Sequence, residues 1–446
     1  MNKTGKGVVI MNKQVVTIAG GGSGYTPGII LTMLNSANFE VKELRLYDDD
    51  SEKNKDMEII IDYILGKGNY NVSLMRTEDP KKAFSGADFI FSQIRVGKIE
   101  MREKDEKIPL KYGVVGQETC GLGGFSYGMR SMKGFLELVG DIQKYAPEAW
   151  ILNYTNPETI IAEAVRRRYP EAKIINACDM TISIEEIISE SFGYDRNNWI
   201  PLYYGLNHFG WYDEIYDTSL GKDIMPEILE KFKNEGVNVE KQEESWALTY
   251  QNMRRIIREF PTHLPNNYLE YYLYPNLAVE QTDPNYTRAN MIMEGRLKKI
   301  KETVRNIKNR EKLDEIAFES SGHGQYIVDI ATSILINKND RFMLIVPNKG
   351  AIPNLRQDAV VEVPCYVNAK GAEPISLRFD IPDFHKGLME AQVASEKLLV
   401  DAFFEKSYQK ALEAFTLNQT VPNAEVAKKI LDEFIEVNKD YWVELT

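Results

Sequence analysis

Cysteine is scarce in this chain: Cys120, Cys178 and Cys365 are the only three among 446 residues, and no two form a C-x-x-C pair. An odd number without paired spacing argues against a disulfide framework and for a reducing compartment, the cytoplasm. Long apolar runs are missing too. Stretches such as Phe342-Met343-Leu344-Ile345-Val346-Pro347 are strand-sized, well short of the ~20 residues that a membrane helix needs. Residues 1–13 have lysines but no long apolar core and no small-residue cleavage site, so no signal peptide is read there. They are expected to be a flexible extension ahead of the first core strand. Positive charge is in deficit: 66 acidic against 54 basic residues give a net charge of −12, a field that repels nucleic acid and anionic lipid. An anionic small molecule would need a local cluster of Arg or Lys to offset that field.

What is present has the composition of a soluble globular enzyme, with 43% hydrophobic and 27% charged residues. The length exceeds what one hydrophobic core serves, which predicts two joined lobes. From Gln14 to about Ile151, short β-branched runs alternate with helical stretches: Val15-Val-Thr-Ile-Ala, a helix from Thr26, Glu43-Leu-Arg-Leu-Tyr, a helix over 53–65, Val72-Ser-Leu-Met and Asp88-Phe-Ile-Phe-Ser. Trp150-Ile-Leu-Asn and Lys173-Ile-Ile-Asn-Ala-Cys continue the series. This βαβαβ order predicts an α/β fold with a Rossmann-like, doubly wound parallel sheet over 14–200, with ligands at the carboxyl ends of its strands. Residues 201–446 are expected to form an α+β lobe, with long helices over 243–260 and 294–312, another over 327–335, strands between 343 and 380, and closing helices. No Gly/Ser-rich or Pro-rich linker and no repeat separates the two, so the second is expected to pack directly on the first.

Ile18-Ala19-Gly20-Gly21-Gly22-Ser23-Gly24 follows a predicted strand and opens a helix. That context suits a dinucleotide, because glycines let the backbone approach a pyrophosphate and the helix start offsets its charge. The second strand ends at Tyr47-Asp48-Asp49-Asp50, where an acid would bond a ribose, and carboxylates there favour NAD over NADP. A tight βα turn beside an acidic loop would explain the same residues. Cys178-Asp179-Met180 ends another strand, and Asn207-His208-Phe209-Gly210-Trp211 follows Leu202-Tyr-Tyr-Gly. A thiolate and a neutral imidazole suit a first-row divalent ion with open positions, although a lone Cys or His at a strand end is commonly structural. Asn153-Tyr-Thr-Asn156-Pro157 offers amides for sugar hydroxyls or an Asx turn. Arg95, Arg102, Arg130 and Arg288 are candidates for the anion cluster. Tyr268-Leu-Glu-Tyr271-Tyr272-Leu-Tyr274 has the spacing of an aromatic face on a helix, and spacing alone selects none of its tyrosines as a base.

With these motifs, Ile108-Pro-Leu-Lys-Tyr-Gly-Val-Val-Gly-Gln-Glu-Thr and Thr287-Arg-Ala-Asn assembled, the chain resembles the NAD- and metal-dependent glycosidases of glycoside hydrolase family 4, and among them the bacterial 6-phospho-α-glucosidases, from Gln14 to Leu445. That family is a named exception to two-carboxylate glycoside hydrolysis. The resemblance implies a lactate/malate dehydrogenase-like fold whose second lobe serves substrate binding and oligomerisation, as a homodimer or homotetramer. It makes Cys178 and His208 the metal ligands, for Mn2+ or another ion such as Fe2+, Co2+ or Ni2+. Asp179 becomes the acid that assists the leaving group, Tyr268 the base, and Arg102, Asn156 and Arg288 the substrate-binding residues. Gly20, Gly21, Gly22, Ser23 and Asp48 would hold NAD. The implied reaction, on maltose 6'-phosphate or an aryl glucoside 6-phosphate, is a redox-assisted elimination and addition. Oxidation at C3 acidifies the C2 proton, which Tyr268 removes; the glycosidic oxygen leaves, water adds, and re-reduction closes the cycle.

One residue departs from the family pattern. Thr181 stands where the α-glucoside members usually have proline after Cys-Asp-Met, which bears on the placement of the Asp179 carboxylate. The β-glucoside members have Asn-Val after the Cys, so Asp179-Met180 points to α. Three other readings remain: a dehydrogenase of the lactate/malate type, a family 4 enzyme for 6-phospho-β-glucosides, and a catalytically silent NAD-binding regulator. Sustained NADH accumulation would mark the first. The regulator has no use for Cys178, Asp179, His208 and Tyr268 together.

Overall fold

β1 (Gln14–Ala19) is buried at every position, which explains a run without polar alternation: a parallel strand covered on both faces has no wet side. The computed structural model that shows this describes residues 13–316, 318–320 and 322–446. All of the expected N-terminal extension except Lys13 lies outside the described residues. β2 (Val41–Tyr47), β3 (Ser73–Thr77), β4 (Phe89–Ser92), β5 (Trp150–Asn153) and β6 (Ile174–Ala177) join β1 in parallel, in the order β3-β2-β1-β4-β5-β6. This is the strand order of dinucleotide-binding sheets, whose crevice opens where the order reverses, between β1 and β4.

The sheet does not end at β6. The later strands are β7 (Trp199–Leu206), β8 (Phe209–Asp217), β9 (Lys222–Asp223), β10 (Leu264–Pro265), β11 (Asp340–Pro347), β12 (Val360–Asn368) and β13 (Gly371–Pro374). β11 lies antiparallel beside β6 through Leu344↔Ala177 and Ile345↔Asn176. β12, β7, β8 and β10 follow outward, giving one 13-stranded sheet. An open β6 edge would offer unpaired backbone groups, and β11 covers them. The division expected at 200/201 thus falls inside β7, and the second half continues the sheet of the first.

The closing helices Asp383–Glu405, Tyr408–Leu417 and Ala424–Val437 turn back to the first half. Leu399, Phe415, Ile430, Phe434 and Trp442 share a core with Phe125, Met129 and Ile161. Arg130, one of the four candidate anion-binding arginines, is spent on this junction. It is buried in an ion pair with Asp105 and donates to Asn438 Oδ1 at 2.8 Å.

Three expectations change in detail. The tyrosine cluster is not one amphipathic helix: a 3-10 turn, Asn267–Leu269, leads into the short helix Glu270–Leu273, and Pro275 starts another. The helix expected over 294–312 contains a π turn at Met293–Leu297 before Lys298–Asn309. Residues 377–380 are irregular rather than strand.

Candidate active site

At the end of β1 the chain turns at Gly20 with φ +83°, and a Cβ there would stand 2.8 Å from the Gln93 carbonyl oxygen. Only glycine fits such a position. Gly20 and Gly21 both donate their N–H to the Tyr47 carbonyl at 2.9 Å, and Ser23 donates to the Gly20 carbonyl at 3.0 Å. The turn opens helix Thr26–Asn35, which has no acidic residue in its first turn. A close glycine turn leading into a helix start without acidic residues lets a pyrophosphate approach the helix dipole, so the residues present fit a dinucleotide. Asp48 is half-buried and braces this loop: Oδ2 accepts from Gly22 N–H and Oδ1 from Asp50 N–H, each at 2.9 Å. Burial pushes its carboxyl up, against the pull of those two bonds.

Cys178 follows β6, and His208 sits in the two-residue turn between β7 and β8, where Leu206 faces Phe209. His208 has φ +64°, a left-handed conformation that glycine adopts without cost and that Asn, Asp and His adopt more often than other residues. The order β6-β11-β12-β7 brings this turn to the end of the sheet that bears Cys178, with Sγ and Nε2 3.3 Å apart. Thiolate and imidazole ligands at about 2.3 and 2.1 Å from a shared ion stand roughly 3.1–3.6 Å apart, so the pair fits one divalent metal. Burial lowers His208 to about 4, which leaves the imidazole neutral at pH 7 as a ligand must be. Burial also raises the Cys178 thiol. Among the described residues no cluster of three or more His, Cys, Asp or Glu could hold an ion.

Tyr268 comes from the turn after β10, which pairs with β8. The Asn266 side chain accepts its N–H at 2.9 Å. Its ring lies edge-on to His208 with centroids 5.2 Å apart, and its other ring neighbours are Trp246 and Tyr271. Burial pushes the phenol up, while Arg288 and Arg102 pull it down.

Arg102 is buried and bonds Glu106 at 2.6 Å and Glu118 at 2.8 Å. Glu106 also accepts the Ala289 N–H at 2.9 Å, which ties the start of helix Arg288–Ile292 to Arg102. Arg288 bonds Glu243 at 3.2 Å and lies 5.4 Å from the Trp246 ring centroid. Its buried Nε has no partner among the described residues. Arg95 pairs with Glu118 at 2.8 Å. Burial opposes the charge of Glu118, but Arg102, Arg95 and Arg288 together hold its carboxyl at about 2.

Asp179 caps helix Met180–Phe192 in position only, without a side-chain cap bond. Its Oδ2 meets His323 Nδ1 at 2.8 Å instead. Thr181 is the second residue of that helix and fully buried, a position where proline is tolerated. Its carbonyl accepts from Tyr212 OH at 2.9 Å. Asn156 lies just past β5, with Oδ1 buried and unpartnered among the described residues.

The structure therefore gathers Cys178, His208, Tyr268, Asp179, Arg102 and Arg288 at one end of the sheet, with Asn156 on the loop after the strand beside β6. The glycine loop reaches them through Tyr25, whose ring lies 4.8 Å from that of His323 and whose hydroxyl accepts from Arg296 at 2.6 Å. Sequence reasoning missed His323, Trp246 and Glu243 as neighbours of the site. Glu118 stood inside a quoted motif without a role. No spacing signal marks His323, since it reaches Asp179 across 144 positions.

The model of the family 4 glycosyl hydrolases matches residues 15–193, and that of the family's C-terminal domain matches 203–421. A maltose-6'-phosphate glucosidase of Clostridium acetobutylicum is 47% identical over 442 residues, 98% of this chain and 100% of its own length. A 6-phospho-α-glucosidase from gut microorganisms, solved in complex with NAD and Mn2+, matches with a TM-score of 0.95 at 41% identity, covering 98% of this chain and 100% of that one. A structure of a 6-phospho-α-glucosidase from gut microorganisms with NAD and glucose-6-phosphate matches with a TM-score of 0.94 at 40% identity and the same coverage.

Proposed function

Because the chain belongs to the family 4 glycosyl hydrolases, we propose that it hydrolyses 6-phospho-α-glucosides, maltose 6'-phosphate and related disaccharide phosphates among them, with NAD and a divalent metal. The observation that carries this reading is the Cys178–His208 pair, 3.3 Å apart with the Tyr268 ring against it. The relative's substrate and the NAD, Mn2+ and glucose-6-phosphate of the neighbouring structures support the choice of ligands.

Residues 14–200 carry the nucleotide, on Gly20, Gly21, Gly22 and Ser23 with Asp48 behind the loop. Residues 201–446 supply His208, Tyr268 and Arg288. Cys178 and His208 hold the metal, as Mn2+ or a similar ion. When bound, the two groups supply a reversible hydride acceptor and a Lewis acid that polarises the oxidised sugar. Arg102 and Arg288 bind the phosphate, for which a planar guanidinium offers paired donors. Asn156 orients hydroxyls through its unpartnered amide oxygen. Tyr268 takes the C2 proton; because burial raises its phenol, Arg102, Arg288 and the metal's charge must lower it in the complex. Asp179 gives a proton to the departing glycosidic oxygen; burial raises its carboxyl but His323 and His208 pull it below the ordinary value, so it must take that proton up from solvent before the leaving group departs.

The enzyme works as a homodimer or homotetramer in the cytoplasm, the reducing compartment that three unpaired cysteines suit. The test is to incubate the protein with NAD+, Mn2+ and nitrophenyl α-glucoside 6-phosphate. Nitrophenol release without matching NADH is expected, and sustained NADH accumulation would mark a dehydrogenase instead. Cys178→Ser should abolish metal-dependent turnover, and Tyr268→Phe should stop exchange of the C2 proton with D2O. Turnover that survives in chelator sinks the metal assignment, and exchange that survives moves the base to another tyrosine.

A further inference from the structure

Aspartate at a helix N-cap ordinarily turns its carboxylate back onto the N–H groups of the first turn. Asp179 occupies that position without making the bond. Forgoing a local preference in this way marks a side chain held for another purpose. Its Oδ2 is instead taken by His323 Nδ1 at 2.8 Å. An acid that carries its proton on Oδ1 has Oδ2 as an acceptor, so Nδ1 is the donor, which selects the ring tautomer.

The histidine is itself fixed. Its ring packs against Tyr154, with centroids 4.2 Å apart, and Tyr25, 4.8 Å apart, and its main-chain carbonyl accepts from Tyr154 OH at 3.3 Å. Nε2 is buried and unpartnered among the described residues, so the ring has no competing bond to rotate toward. Tyr25 caps the first helix at the end of the glycine loop, and Tyr154 follows β5. The ring that grips Asp179 is therefore seated between the glycine loop after β1 and the loop after β5.

We propose that His323 is the positioning residue for Asp179: it pins Oδ2 as an acceptor and leaves the proton-bearing Oδ1 facing the departing glycosidic oxygen, which takes that proton as its bond to C1 breaks. The inference rests on the reading of Asp179 as leaving-group acid, through which His323 acts. Protonation of the leaving oxygen matters most for a poor leaving group such as a sugar alkoxide and least for nitrophenolate. Losing the grip on Asp179 should therefore act selectively.

The experiment compares wild type, His323→Phe, His323→Asn and Asp179→Asn, each with NAD+ and Mn2+, on maltose 6'-phosphate and on aryl α-glucoside 6-phosphates of graded leaving-group pKa. His323→Phe should lower kcat on maltose 6'-phosphate roughly 10- to 100-fold, within the range of general acid catalysis, with KM changed less than about threefold. On the nitrophenyl substrate kcat should change less than about threefold. C2 proton exchange with D2O, which Tyr268 governs, should continue at the wild-type rate. Asn presents a donor near the position of Nδ1, so His323→Asn should recover most of the loss. Melting temperature and NAD binding report whether each variant is folded. An equal loss on all substrates in a folded His323→Phe, or an Asn variant as impaired as Phe, overturns the positioning role while leaving Asp179 as the acid. If Asp179→Asn itself shows no dependence on leaving group, the acid assignment falls, and this proposal falls with it.

Discussion

At Gly20 the backbone has φ +83° and the nearest atom to an added Cβ is a main-chain oxygen, Gln93 O at 2.8 Å. A side chain there meets a left-handed conformation and an obstacle that cannot rotate away. Gly20→Ala is expected to destabilise the protein by about 1–3 kcal/mol and to weaken NAD binding, measured by nicotinamide fluorescence titration; unchanged affinity would remove the loop from the nucleotide site. Glu118 makes a prediction of another kind. Its folded pKa, about 2, lies below the ordinary value of 4.5. Its contribution to stability is therefore complete above pH ~4.5 and lost as pH falls toward ~2, on the order of 3 kcal/mol. Glu118→Gln should flatten that part of the stability-against-pH curve relative to wild type. Parallel acid limbs in the two proteins would show that the three arginines do not hold the carboxylate down.

The β7–β8 hairpin joins metal chemistry to backbone cost. His208 stands at φ +64° in its two-residue turn, a left-handed position that Asn also accepts. His208→Asn should keep or raise the melting temperature measured in chelator and lose the increase that Mn2+ confers. A variant that still gains stability from Mn2+ would acquit His208 as a ligand. The same hairpin shows how far the sequence was legible. Its strands and those of the first half were readable from β-branched runs, and Cys178 and His208 stood out as ligand types at strand ends. Their meeting was not readable, because it depends on the pairings β6-β11-β12-β7, one of which joins Leu344 to Ala177 across the chain. The tyrosine run misled for a local reason: its i, i+3, i+4 spacing imitates a helix face, while Pro275 and the turn set by Asn266 break it into short pieces. His323 was invisible because a single long-range contact carries no periodicity.

For the molecule as a whole, the continuous sheet and the returning C-terminal helices decide how it unfolds. The parallel half has its outer face covered by Leu399, Phe415, Ile430, Phe434 and Trp442, so neither half of the chain has a closed core without the other. Heat should produce one calorimetric transition rather than two. NAD at a hundred times its Kd should shift that transition as a unit, by about 2.7 kcal/mol. Trp442 tests the coupling from the far end of the sequence. It is 6% exposed and donates from Nε1 to the Ser126 carbonyl at 3.2 Å, next to the buried Arg130–Asp105 pair. Trp442→Ala should cost about 3–5 kcal/mol. If the halves are coupled, the loss lowers the melting midpoint seen by a probe on the β7–β8 hairpin as much as that seen by NAD binding. A hairpin that melts at its wild-type temperature while nucleotide binding is lost would mean that the 200/201 division separates two folding units despite their common sheet.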